Sequence, residues 1–451
     1  LRLAFAAPQQ GQEEAGETLV VAGTDQDGDV WVTGIELAAL EHRMDSAETE
    51  APANLSRGGA AFAPIIVTAP DDTLLAFWWD EHDGLVAANG KLSTSSVLSG
   101  TVETVVTSEI WSEPRPVPLP AETPPRILTD AAGRIHAFWL EGQAGTGVAG
   151  LLPSSAEAPS EGAPDLASGI QALLLEQLLG GQASATETDS LQLMHAQLAA
   201  NGTDWSLPMV LAESAVGFDI ATDASGALHA AYIDTVSAPH SLAGVYYRQF
   251  GQEEARWTSP TAVYQSRYLR SLSPETARVS LAVEDTGGVY VTWDDLRQLH
   301  PVLTYSADGG GMWEPAKPVG DPDRITYGGR LFSVPGGETQ ILWETGGAFA
   351  GCNLYQAPVS DVLAGSEDAG RQVLEGLTDC PENDRFLPLG EGQVLMIAGG
   401  GSDALTLATW SGEQWSLPVR SNFEFEDPES GRRVYLDELQ AALVEGLTGP
   451  E

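Results

Sequence analysis

The stretch Asp223-Ala-Ser-Gly226-Ala-Leu-His-Ala-Ala-Tyr232-Ile-Asp234 decides the fold. It opens as a polar turn around a glycine, continues as a short apolar run, and ends in an aromatic followed by an acid. A run of this length bounded by turn residues is a strand signal rather than a helical one. The same wording recurs at Asp130-Ala-Ala-Gly133-Arg-Ile-His-Ala-Phe-Trp139-Leu-Glu141 and at Asp285-Thr-Gly-Gly288-Val-Tyr-Val-Thr-Trp293-Asp-Asp295. Looser copies end at Trp78-Trp79-Asp80 and Leu342-Trp343-Glu344, and two without the aromatic run over Thr18–Asp25 and Val394–Gly399.

Each unit continues into a further strand, such as Val245–Phe250, Val302–Ser306 or Leu405–Trp410. A Trp-led segment then closes most of them: Trp111-Ser-Glu-Pro114, Trp205-Ser-Leu-Pro208, Trp257-Thr-Ser-Pro260, Trp313-Glu-Pro315 and Trp415-Ser-Leu-Pro418. Proline removes a ladder donor, so it belongs on an outermost strand. Each unit therefore reads as one inner strand, two middle strands and a Pro-blunted outer strand. Repetition of such a unit implies an all-β β-propeller of four-stranded antiparallel blades, seven preferred over six. The composition agrees: hydrophobic residues make up 43%, with 49 Gly and 28 Pro to turn the chain.

The expected organisation is a tail over 1–16, a propeller over 17–436 and a C-terminal helix or tail over 437–451. An insertion over 144–189 falls between strands two and three of blade 3; within it, Asp165–Leu179 reads as an amphipathic helix with Asp165 as N-cap. That helix packs either on its own propeller or on a partner chain. Tyr435–Val444 reads as a second helix. The ring needs closing, and either 422–434 or 1–16 could supply the missing inner strand of the first unit.

One segment is more specific. Ser306-Ala-Asp308-Gly-Gly310-Gly-Met-Trp313 fits the pattern Ser-x-Asp-x-Gly-x-x-Trp, and Gly202 to Trp205 and Gly412 to Trp415 keep its second half. With the in-phase units, this chain resembles the sialidase-like BNR (Asp-box) repeat β-propellers over about residues 17 to 420. The resemblance implies that the box is structural and lies on the face opposite the catalytic centre of those proteins, so Ser306, Asp308, Gly310 and Trp313 hold a turn. It also implies what a sialidase would require: a tyrosine nucleophile activated by glutamate, an aspartate acid/base and three arginines for the substrate carboxylate. Tyr268 and Tyr327 lie near the relevant face. The expected Arg-Ile-Pro is absent, however, since Arg126-Ile127 is followed by Leu128. No residue is assigned a catalytic role.

Strand order places the loops between strands two and three on the same side as the blade-to-blade connections. The strand-end acids Asp25, Asp80, Glu141, Asp234, Asp295 and Glu344 collect there, with His82, Asp83, Asp294, Arg297, His240 and His300 beside them. The connections add Arg267, Arg270, Arg278, Arg324, Arg330 and Arg385. The candidate binding face is Asp80, His82, Glu141, Asp234, Asp294, Asp295, Arg297, His300, Arg330 and Glu344. Two readings stay open. The acids either cap strand ends and accept from turn amides, or they line a polar, aromatic-backed binding face.

The formal charge is −43, from 64 acids and 21 bases. Nucleic acid and an anionic membrane surface would be repelled. An acidic surface serves solubility or attracts cations such as Ca²⁺. Asp25-Gln-Asp27-Gly-Asp29, with Glu36 twelfth, superficially resembles an EF-hand loop, but Val30 stands where glycine is required and Val30–Ile35 alternates like a strand. Asp25, Asp27 and Asp29 are thus a weak Ca²⁺ candidate and no other cofactor is indicated.

No apolar run is long enough to span a bilayer. Leu1–Pro8, with its Ala-x-Ala spacing, looks like the tail of a signal peptide, and Cys352 and Cys380 are a candidate disulfide or two buried thiols. The expectation is a secreted or cell-surface, non-catalytic propeller that binds a glycan, a protein or an envelope component. The alternative is an exo-acting glycosidase of the sialidase type.

Overall fold

The structure is a computed structural model. It describes residues 18–36, 52–68, 73–99, 102–130, 132–142, 191–199, 204–223, 225–235, 242–251, 256–295, 297–345, 353–366, 370–374, 382–390, 392–399, 405–421, 424–427 and 430–444. The insertion over 144–189 with its 165–179 helix, the 1–16 tail, His240, Cys352 and Cys380 lie outside the described residues.

The fold is a β-propeller of seven antiparallel sheets. In the fourth blade, strands Ala215–Thr222, Leu228–Asp234 and Gly244–Gly251 follow one another and the edge is completed by Arg256–Trp257 and Thr261–Gln265. The fifth blade repeats this with Val279–Val283, Val289–Asp295, His300–Ser306 and Lys317–Pro318. The sixth runs Thr326–Phe332, Gln340–Thr345, Leu354–Pro358 and Arg371–Val373, with the short helix Val359–Ala364 before its edge.

The chain forms two compact units. The first draws on 1–138, 196–208 and 381–451, the second on 139–195 and 209–380. In the first unit, Leu19, Val21, Leu395, Ile397, Val434 and Leu436 share one apolar cluster, and Val20, Val32, Ile66, Leu74 and Trp78 another. In the second, Val245, Tyr247, Leu281, Val291 and Trp293 share one apolar cluster, and Leu331, Ile341 and Trp343 belong to another. The repeated aromatics Trp78, Trp139, Tyr232, Trp293 and Trp343 are all buried, because they end the second strand of a blade where sheets face each other.

The glycine turns share one device. Asp223 accepts from the amides of Ser225 (2.8 Å) and Ala227 (2.9 Å) through Oδ1 and meets His229 Nε2 (3.2 Å) through Oδ2. Asp130 does the same with Ala132, Arg134 and His136. Asp25 does it with Asp27, Asp29 and the indole of Trp31. Ligands two, four and six residues on fix both the turn and the first ring of the next strand. Gly28, Gly133 and Gly226 supply the positive φ that the turn needs. Burial pushes Asp130 and Asp223 up, but the histidine contact, the turn amides and a neighbouring side chain outweigh it and hold both carboxyls at about 2.

Two expectations are corrected. Tyr435–Val444 is not helical: it belongs to the strand Arg433–Val444, which pairs antiparallel with Thr18–Asp25, while Glu424–Glu426 hairpins onto its start. Its helical periodicity is overridden because the edge of the first blade leaves a row of backbone groups that only another strand satisfies. The first sheet therefore closes with 433–444, rather than with 422–434 or the N-terminal tail.

Nor is the Trp-led segment a continuous outer strand. Trp257 pairs with Phe250, the strand breaks, and Thr261–Gln265 resumes nearer the other end. Trp205 and Trp415 likewise make single bridges to Leu198 and Trp410 before Met209–Ala212 and Val419–Ser421 begin. The Ser or Thr after the tryptophan spans the gap. Ser112, Ser206, Thr258 and Ser416 each accept the third-strand amide at 2.9 to 3.0 Å through their hydroxyls. A hydroxyl thus replaces the acceptor lost where the edge breaks at proline.

Candidate ligand-binding face

In the second unit, the connection from the fourth to the fifth blade carries a short 3-10 turn, Arg267–Ser271. Ser266 caps it, its hydroxyl accepting from the Tyr268 amide at 3.3 Å. Leu269 and Leu272 are buried beneath it, which leaves Arg267 and Arg270 outside and Tyr268 half-buried. The turn between Val289–Asp295 and His300–Ser306 meets it. Asp295, 2% exposed, accepts from the amides of Arg297 (2.9 Å) and Gln298 (3.4 Å) through Oδ1 and from the Tyr264 hydroxyl (3.2 Å) through Oδ2. Arg297 then lies over the Tyr268 ring at 4.6 Å, and Arg267 at 5.0 Å with Nη2 donating to the Tyr268 hydroxyl (3.0 Å). That hydrogen bond from Arg267 comes first among the influences that lower the phenol's pKa. Burial, then Asp295, raise that of Tyr264.

Behind this rim lies a closed polar layer. The buried Asp294 accepts from the amides of Gly328 (3.1 and 3.0 Å) and Gly329 (3.4 Å). Glycine is required at 329, because a Cβ there would stand 2.7 Å from the Pro301 side chain and 2.8 Å from Thr292 Oγ1. Burial raises the Asp294 pKa, against those amides and the charges of Arg278 and Arg330. Arg330 pairs with Glu344 and donates through Nε to the Gly328 carbonyl at 3.0 Å. His300 Nδ1 meets Thr326 Oγ1 at 2.8 Å, and burial lowers its pKa.

Asp294, Asp295, Arg297, His300, Arg330 and Glu344 of the candidate face are thus placed together by the fifth and sixth blades. Asp234 ends Leu228–Asp234 in the fourth, and Glu141 accepts from the Trp139 indole at 3.4 Å. Asp80 and His82 belong to the first unit: Asp80 caps its own turn through the amides of His82 (2.8 Å) and Asp83 (3.1 Å), and the His82 ring is exposed. Three of the six strand-end acids, Asp25, Asp80 and Asp295, therefore cap turns, while Glu141 and Glu344 bond side chains.

The box residues occupy the far end of His300–Ser306 from the 295–300 turn. Ser306 donates to Asp308 (2.7 Å), Asp308 accepts from the amides of Gly311 (2.9 Å) and Met312 (2.8 Å), and the Trp313 indole donates to the Gly310 carbonyl (3.2 Å).

The Ca²⁺ candidate does not assemble. Asp25 is taken by turn amides and Trp31, and Asp29 by Asn54 (3.0 Å) and the Gly59 amide (2.9 Å). Arg432 pairs with both Asp25 and Asp27. Among the described residues no three His, Cys, Asp or Glu side chains converge on a point that could hold a metal, and no helix is long and apolar enough to cross a membrane.

The grouping of Arg267, Tyr268 and Arg297 was not legible as a unit. Its one trace is local charge: four of the chain's 21 basic residues fall between 267 and 297.

No protein-family model matches this chain, and no curated protein matches it. Solved structures similar in fold include the BP39L lectin from Burkholderia pseudomallei, at 11% identity over 90% of this chain and 97% of that one with a TM-score of 0.49. The polysaccharide lyase Uly1 is similar at 11% identity over 90% and 94%, TM-score 0.47. The Hadza microbial sialidase Hz136 is similar at 13% identity over 80% and 66%, TM-score 0.36.

Proposed function

We propose that the protein is a non-catalytic binding propeller, acting outside the cytoplasm, that takes a glycan on the face formed by the 267–271 connection and the 295–300 turn. The observation that carries this reading is the fixed grouping of Arg267, Tyr268 and Arg297 at the surface above the hydrogen-bonded carboxylates of Asp294 and Asp295. Directional donors held in place by packing are what recognition of a hydroxyl-rich ligand uses. The Tyr268 hydroxyl accepts from the Arg267 guanidinium, which fixes the phenol's orientation as a contact group.

Cleavage has one observation in its favour: Tyr327 stands opposite Glu344 in the register of the sixth blade. Glu344 is tied to Arg330, which weakens it as a base. Purified protein is to be passed over a glycan panel and, in parallel, incubated with a fluorogenic sialoside and a glycoside panel. Binding without turnover is the expected result. Turnover abolished by Tyr327→Phe would replace this reading with the glycosidase one.

A further inference from the structure

We infer that the ligand of this face is an acidic polysaccharide, one carrying carboxylate or sulfate groups, held by Arg267 and Arg297. The inference rests on the glycan-binding reading above and names the ligand's charge. A chain with a net charge of −43 repels anions over most of its surface. Here the local arrangement is reversed. Asp294 is buried on the amides of Gly328 and Gly329, and Asp295 is buried with both oxygens engaged. The negative charge of Asp294 and Asp295 is turned inward.

The positive charge is left outward. Arg267, Arg278 and Arg297 are exposed, and among the described residues none has a carboxylate within ion-pair distance. Arg278 instead donates to the backbone carbonyls of Glu275 (2.9 Å) and Ala277 (3.2 Å). The Tyr268 ring brings two like-charged guanidinium groups together, each within 5.0 Å of its centroid. Attraction to the ring face offsets part of their mutual repulsion. An arriving carboxylate or sulfate removes the rest, and the planar fork of arginine fits either group through two parallel N–H donors. The patch is too small to hold nucleic acid or a membrane surface against the field of the whole chain. A flexible polyanion with charges spaced along a neutral sugar backbone can place single charges on it.

The test uses isothermal titration of the full chain with polygalacturonate, dextran sulfate, neutral dextran and a neutral glycan panel, with poly-glutamate as the protein-like polyanion. The variants are Arg267→Ala/Arg297→Ala and, as a control on the outer edge of the fourth blade, Arg256→Ala. Circular dichroism melts confirm that each is folded. Wild type and the control should bind polygalacturonate or dextran sulfate but not neutral dextran. The double variant should bind roughly tenfold or more weakly, and affinity should fall as salt rises from about 50 to about 500 mM. Binding of neutral glycans alone, unaffected by the double variant, overturns this inference and leaves the glycan-binding reading standing. Binding of poly-glutamate alone, or of nothing, overturns both.

Discussion

The guanidinium of Arg297 lies 4.6 Å from the centre of the Tyr268 ring, joining a turn inside the fifth blade to the connection that enters it. Two loop classes that strand order assigns to one side thus touch through a defined pair. With the hydrogen bond from Arg267, the contact stabilises the phenolate of Tyr268. The buried Tyr232 and Tyr247 and the half-buried Tyr290 are pushed the other way. Ultraviolet titration should therefore show Tyr268 ionising below its ordinary value while those three stay protonated until the fold opens. Arg267→Ala should raise the early transition, and Tyr268→Phe should remove it.

The turn acids make an acid-side prediction. Asp130 and Asp223 sit at about 2 against an ordinary value of 3.8. A carboxyl lowered by folding stabilises the fold fully above its ordinary value and loses that contribution as pH falls through the lowered one. Asp130→Asn or Asp223→Asn should cost roughly 2 kcal/mol each at neutral pH. The gap to wild type in denaturant midpoint should shrink steadily from about pH 4 to about pH 2.

Neighbouring glycines of the box separate backbone strain from collision. Gly309 has φ 74° and open space where a Cβ would go, so Gly309→Ala should cost about 1 kcal/mol. Gly310 has φ 99° and faces the Tyr247 ring, whose hydroxyl donates to the Gly309 carbonyl. Gly310→Ala should cost roughly 3 kcal/mol or more, read as a lower urea midpoint.

The C-terminal strand can be divided in the same way. Arg432 pairs with Asp25 and Asp27 from a partly exposed position, 42% accessible, so Arg432→Ala should leave the urea midpoint close to that of the wild type. A chain ending at Arg432 loses the strand that covers Thr18–Asp25 and should yield no cooperative melt and little soluble protein.

Blade number and the order of strands were legible because most blades repeat a turn acid, a strand-end aromatic and a Trp-led edge. What misled was local. Tyr435–Val444 carries a helical spacing of apolar residues, and only the distant Thr18–Asp25 shows why it must extend. The Trp-led segments looked like strands because proline marks an edge, yet the Ser and Thr hydroxyls that interrupt them bond third-strand amides 7 to 23 positions back, a pairing that nothing in the segment itself marks. On the candidate face, the sequence leaves open whether Asp294 and Asp295 cap turns or line a surface, because the amides of Gly328 and Gly329 that draw Asp294 inward belong to the next blade. Tyr268 was legible as a tyrosine near that face, but not its pairing with Arg297, which is 29 positions further along.

Pairing between 18–25 and 433–444 sets the order of synthesis against the order of completion. On the ribosome the first blade emerges early with one flank bare, and its missing strand is the last of the described strands to appear. Every other blade is assembled from consecutive segments and can form as it emerges. Until the end arrives, the apolar row from Leu19 to Ala22 stays open to any passing strand. Quality of folding should therefore hinge on how long that wait lasts, and slowing translation of the late blades should raise misassembly more than slowing the early ones.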